Sequence, residues 1–132
     1  TKPTQHSVHE LRSIGISPDM IVARSDYPVD PTLRDKIAQF CDVDKRAVVP
    51  MVTAKVLYEV PLLLEEAGSA DYILEKLGLQ ARAKPDWTHW TDLVQKIQQP
   101  KPKIKIALVG KYVELHDAYI SVKEAINHAG LK

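Results

Sequence analysis

Cysteine is nearly missing from this sequence: Cys41 stands alone among 132 residues, so no internal disulfide can form, and a reducing compartment suits the chain. Long apolar runs are missing too. None approaches the ~18 to 20 residues that a spanning helix needs, and no signal peptide opens the chain, so the expected address is the cytoplasm, with no membrane partner. Neither sign of charge prevails, since 18 basic and 17 acidic residues leave a formal net charge of +1. That balance lacks the footprint of a nucleic-acid binder or a polybasic anchor, so any anionic ligand has to be held by a local cluster.

Complete catalytic motifs are also absent. Gly110-Lys111 suggests a phosphate-binding loop, but Lys105 stands where its first glycine belongs and Tyr112 replaces the hydroxyl that would hold magnesium. A dinucleotide fingerprint fails in the same place, because Tyr112 and Leu115 fill two positions that require glycine. His6 and His9 are three apart without a third ligand. Cys41 falls on the apolar stripe of a helix, which is a packing position rather than a nucleophile's.

What is present alternates. Ser7 and Glu10 have capping-box spacing, which predicts a helix from about Val8 towards Ser13, fed by the polar loop Thr1 to Gln5. With Lys2 and two threonine hydroxyls beside a helix N-terminus, that loop either cradles a phosphate or nucleobase edge or simply caps the helix. Met20 to Ala23 reads as a buried strand ending in Arg24-Ser25-Asp26, residues that either face a cleft or cap the next helix. Asp30-Pro31 opens that helix, with Leu33, Ile37, Phe40 and Cys41 along one face and Lys36 on its flank, where a lysine ordinarily snorkels. Ala47 to Val52 reads as a further strand, with Pro50 marking an edge, bulge or end. Val56 to Ala67 is amphipathic but split by Pro61 near Glu59; Gly68 stops it, Ser69 caps a short helix through Tyr72 and Leu77, and Gly78 ends that one. Helix, strand, helix, strand, helix, helix is the order of a mostly parallel α/β sheet.

Beyond Leu79 the pattern changes. Asp86 can cap a helix carrying Trp87, Trp90, Leu93, Val94 and Ile97 on one face, with both tryptophans placed as packing anchors. Gln98 to Lys103, with two prolines and no bulky apolar residue, reads as an exposed linker. Ile104 to Val109 then predicts a buried strand, Asp117 an N-cap, Ala118 to Ala129 a helical stripe, and Gly130 a left-handed cap. One strand and one helix cannot bury a core, so this tail is expected to open a domain whose remainder is absent.

Taken together, TKPTQHSVHELRSIGISPDMIVARSDYPV, FCDV, RAVVP, LYEVPLLLEEAG and VGKYVELHDAYISVKEAINHAG resemble the CTP synthase family over nearly the whole chain. The resemblance is loosest across Gln80 to Lys103. It implies an α/β fold in three parts: residues 1–79 as the C-terminal part of a synthetase (amidoligase) domain, 80–103 as a linker with a helix, and 104–132 as the first strand-helix unit of a class I glutamine amidotransferase domain. The implied reaction is amination of UTP to CTP. ATP phosphorylates the uracil O4, and ammonia channelled from glutamine displaces that phosphate, with GTP as activator, CTP as inhibitor and magnesium accompanying ATP. A homotetramer and filaments are implied partners. Thr1, Lys2, Pro3, Thr4, Gln5 and Lys36 would hold UTP or CTP, and Val52, Thr53 and Ala54 would border the adenine of ATP. In that last segment Val-Thr-Ala-Lys stands where the family typically carries an Asp-Val-Asp stretch. The phosphate loop, the magnesium carboxylates and the glutaminase triad are not found here, so this piece alone is expected to be inactive. The competing reading is a non-catalytic module, sensing CTP or UTP or forming an interface, derived from such an enzyme.

Overall fold

A computed structural model describes residues 1–115 and 117–131. The chain divides into two compact units, Thr1–Trp87 and Thr88–Lys132.

The first unit runs α1 (Lys2–Ser13), β1 (Ile21–Ser25), α2 (Pro31–Cys41), β2 (Val48–Val52), α3 (Val60–Glu66) and α4 (Ser69–Leu77), with 3-10 turns at Lys45–Ala47 and Leu57–Glu59. The strands pair in parallel, from Ile21 opposite Val48 to Ser25 opposite Val52. A parallel pair needs a crossover, which α2 supplies. Val8 of α1, Ile21 of β1, Ile37, Ala38 and Cys41 of α2 and Val48 of β2 form one core cluster. β2 is buried on both faces through Val48, Val49 and Met51. β1 is not fully buried as the sequence predicts: Ile21 is covered while Val22 remains 49% exposed, so only one of its faces is packed.

Helix α1 departs from expectation. The stretch Thr1 to Gln5 is its first turn, not a loop, and the Gln5 N–H donates to the Thr1 carbonyl at 2.9 Å. Pro3 lies in the opening turn, where its fixed φ suits a helix and its missing N–H costs nothing. Ser7 is therefore no cap; its Oγ donates back to the Pro3 carbonyl at 3.1 Å inside the helix. Other local signals hold. Asp30 accepts from the Thr32 N–H at 2.8 Å and caps α2, Pro61 occupies the first turn of α3, and Gly78 closes α4 at φ 63. Ser69 begins α4 rather than capping it, since Gly68 is the cap residue, at φ 71.

Arg46 fastens α4 to the chain entering β2. Its guanidinium reaches Glu75 at 2.9 and 3.0 Å and Asp44 at 3.2 Å, and lies 5.4 Å from the centre of the Tyr72 ring.

The second unit contains α5 (Thr88–Gln98) and α6 (Ile120–Ala129). The strand predicted over 104–109 is not formed, and Ile104 and Val109 are 85% and 93% exposed. An apolar run becomes a strand only by pairing its backbone groups, and no neighbouring strand lies beside it among the described residues. Helix α6 begins at Ile120 with Tyr119 as its N-cap residue, not at Asp117, whose carbonyl instead accepts from the Ile120 N–H in a turn at 3.2 Å. Gly130 ends α6 in the right-handed region, at φ −78, rather than as a left-handed cap. The Tyr119 hydroxyl donates to the Lys111 carbonyl at 2.6 Å and closes the turn after Gly110.

Candidate functional site

Helices α1 and α2 pack against each other and meet at their C-terminal ends. Arg12, in the last turn of α1, donates from Nη2 to the carbonyl of Cys41, the last residue of α2, at 2.7 Å. Because α2 leads into β2 through the turn at Lys45–Ala47, its C-terminus lies at the amino edge of the sheet. The N-terminal turn of α2, which follows β1, lies at the carboxyl edge, where open α/β sheets gather ligands.

That edge is held by side chains. The Thr53 N–H donates to the Ser25 carbonyl at 2.9 Å, prolonging the strand pairing, and Thr53 Oγ1 donates to Asp26 Oδ1 at 2.8 Å. Ser25 Oγ turns to the Tyr27 carbonyl at 2.6 Å. Asp30 accepts from the hydroxyl as well as the N–H of Thr32, and these bonds hold its carboxyl below the usual carboxylate range.

Between α1 and α2 lies an open groove of about 530 Å³, lined by Lys2, Gln5, His6, Val8, His9, Arg12 and Phe40. On a helix with 3.6 residues per turn, positions 2, 5, 6, 9 and 12 share one side. The stripe is cationic and imidazole-rich, and the first turn of α1 carries no acidic residue. The positive end of the helix dipole adds to that potential.

Of the residues predicted for a pyrimidine nucleotide, the structure brings Lys2 and Gln5 to this groove. Thr1, Pro3 and Thr4 belong to the same helical turn. Lys36 is exposed on α2, one turn before the groove residue Phe40, so the two share a face of that helix. Val52, Thr53 and Ala54 are not among the groove residues and lie at the carboxyl end of β2 and just past it. Cys41 is fully buried, and its thiol is pushed up by burial against the opposing charge of Arg12, which suits packing and not nucleophilic chemistry. Among the described residues no group of three or more His, Cys, Asp or Glu side chains is gathered to hold a metal ion. Nor is any helix among them long and apolar enough to cross a membrane.

Residues 1–79 match the family model described as CTP synthase N-terminus. The chain belongs to the CTP synthase family. It is 63% identical over 131 residues to the CTP synthase of Roseiflexus sp. (strain RS-1), covering 99% of this chain and 23% of the relative. With the CTP synthase of Chloroflexus aurantiacus (strain ATCC 29366 / DSM 635 / J-10-fl) the identity is 59% over 132 residues, covering 100% and 24%. For that of Dehalococcoides mccartyi (strain CBDB1) it is 55% over 131 residues, covering 99% and 24%. The chain spans about a quarter of the length of these curated relatives.

Sequence reasoning missed Arg12, Phe40 and the two histidines as groove residues. The signal was there, as the helical spacing of Lys2, His6, His9 and Arg12. It is invisible while residues 1–5 are taken for a loop.

Proposed function

We propose that this chain is the stretch of a CTP synthase that carries one wall of the pyrimidine-nucleotide site, the segment bordering the adenine of ATP, and the passage towards the glutaminase domain. The whole enzyme would convert UTP, ATP and glutamine to CTP, ADP, phosphate and glutamate. ATP turns the uracil O4 into a phosphate leaving group, and ammonia released from glutamine displaces it at C4. Residues 1–79 are read as the end of the synthetase domain, 80–103 as the linker and 104–132 as the start of the glutaminase domain.

The observation that carries this reading is the juxtaposition of Lys2 and Gln5 with Phe40 across one groove, with Lys36 a turn away on the same face of α2. Two ammonium groups and a helix N-terminus supply the positive potential that a triphosphate needs, and the Gln5 amide can both donate to and accept from a pyrimidine edge. These residues bind and orient; none is placed to attack or to transfer a proton. Val52, Thr53 and Ala54 border the adenine through their backbone groups. For the magnesium that accompanies ATP, the described residues gather no group of three or more His, Cys, Asp or Glu side chains. On this reading the complete protein is cytoplasmic, works as a homotetramer able to form filaments, responds to GTP as activator and is inhibited by CTP.

In the complete enzyme, Lys2→Ala and Lys36→Ala are each expected to raise the KM for UTP and to relax inhibition by CTP. Steady-state kinetics at varied UTP test this, and unchanged UTP kinetics in both variants would refute the assignment.

A further inference from the structure

The segment that ends β2 and follows it, Val52-Thr53-Ala54-Lys55, carries no carboxylate of its own. The fold returns one to the same place. Thr53 Oγ1 donates to Asp26 Oδ1 at 2.8 Å, and Asp26 comes from the neighbouring strand's end, directly after Ser25, whose carbonyl accepts the Thr53 N–H at 2.9 Å. Asp26 is exposed, and among the described residues its Oδ2 accepts no hydrogen bond. One oxygen is thus anchored on Thr53, at the carboxyl edge of the sheet, while the other is left to solvent.

We propose that Asp26, oriented by Thr53, is the residue that selects an amino-bearing purine at this edge, its Oδ2 accepting from the exocyclic amine of adenine. The inference rests on the reading that residues 52–54 border that base. The chemistry is one-sided. An ionised carboxylate offers acceptors only, so it pairs with an N–H donor and repels the carbonyl oxygen that a six-oxo purine places at the same position. Thr53 acts through Asp26 and is a positioning residue: its hydroxyl, 2.8 Å from Oδ1 and 3.5 Å from the Ser25 carbonyl, tethers that oxygen at the strand end.

The test uses the complete enzyme with ammonium as nitrogen donor, comparing kcat/KM for ATP with that for inosine triphosphate, which differs only in carrying a six-position carbonyl. Asp26→Asn replaces an obligate acceptor by an amide able to donate, so the preference for ATP is expected to fall about 10- to 100-fold, the worth of one charge-assisted hydrogen bond. Thr53→Val should lower it in the same direction but less. The double variant Asp26→Asn with Thr53→Asp moves the carboxylate to β2 and is expected to restore the preference, an outcome that general loss of structure cannot produce. An unchanged ATP preference in Asp26→Asn overturns the inference. Ala54→Trp separates the two ways of failing. If it raises the KM for ATP while Asp26→Asn leaves the preference intact, only the role of Asp26 is wrong; if neither variant has an effect, the adenine assignment of residues 52–54 falls with it.

Discussion

The guanidinium of Arg12 and the carbonyl of Cys41 meet at 2.7 Å, joining the last turn of α1 to the last residue of α2. The bond satisfies a helix-terminal carbonyl that has no partner within its own helix and sets a cation at the negative end of the α2 dipole. Asp42, 3.9 Å away and almost fully exposed, adds little by comparison. The register of the two helices depends on this contact, and so does the spacing of Lys2 and Gln5 from the α2 face that bears Lys36 and Phe40.

Arg12→Met keeps the apolar stem and removes the donor. It is expected to cost about 1.5 kcal/mol, the lower end for a charged donor because the side chain is 34% exposed. On the proposed function it also raises the KM for UTP. Urea unfolding and UTP kinetics measure the two, and an unchanged unfolding midpoint would show that the contact does not join the helices.

Ile37 is 3% exposed and lies in the cluster shared by α1, α2 and both strands. Truncation to alanine is expected to cost roughly 2 to 5 kcal/mol through lost transfer energy and the cavity left behind. Replacing the neighbouring exposed Gln39 by alanine is the control, expected within ~0.5 kcal/mol of the parent. Chemical denaturation of both variants decides it.

Acid should loosen α4. Backbone and side-chain hydrogen bonds from Arg46 hold Asp44 below its ordinary value of 3.8, and the side-chain bonds from Arg46 hold Glu75 below its ordinary 4.5. Both carboxyls have depressed values in the folded state. Their contribution is therefore fully present above the ordinary carboxylate range and is lost as the pH falls through the lowered values. Arg46→Ala is expected to flatten the loss of stability on going from about pH 5 to about pH 2, leaving the part that Asp44 draws from the backbone N–H of residue 46. Denaturation midpoints across that window, identical in slope for parent and variant, would contradict the account.

A Cβ at Gly110 would fall on the Tyr119 hydroxyl. Gly110→Ala is thus expected to push Tyr119 off the Lys111 carbonyl and to open the turn that precedes α6, where Tyr112 already sits at φ 61. Tyr119→Phe removes the same bond without the clash and should produce a smaller effect in the same direction. Amide hydrogen exchange across residues 110–119 reports both, and protection equal to the parent in Gly110→Ala would rule out the close approach.

Local chemistry made much of this fold legible. Asp30-Pro31 marks the start of α2, Pro61 forces the break before α3, Gly78 supplies the left-handed cap of α4, and the order of elements announces a parallel pair. Each is a short-range steric or hydrogen-bonding effect that neighbours in sequence carry by themselves. The start of α1 was not legible, because Ser7 and Glu10 imitate a cap and Pro3 fits a loop as readily as a first turn. The run Ile104 to Val109 shows the opposite error, since apolar residues in a row describe a strand only when another strand is there to pair with.

The site divides along the same line. Which residues carry charge, amide and hydroxyl near a helix start is written in Thr1 to Gln5, and the family resemblance follows from residue order alone. That Lys2 and Gln5 share a groove with Phe40, and that Asp26 stands beside Thr53, required the parallel pairing of β1 with β2 and the docking of α1 along α2. The hydrogen bonds that hold these arrangements, Arg12 to Cys41 and Thr53 to Asp26, span 29 and 27 positions in sequence, and only packing of the common core brings their partners together.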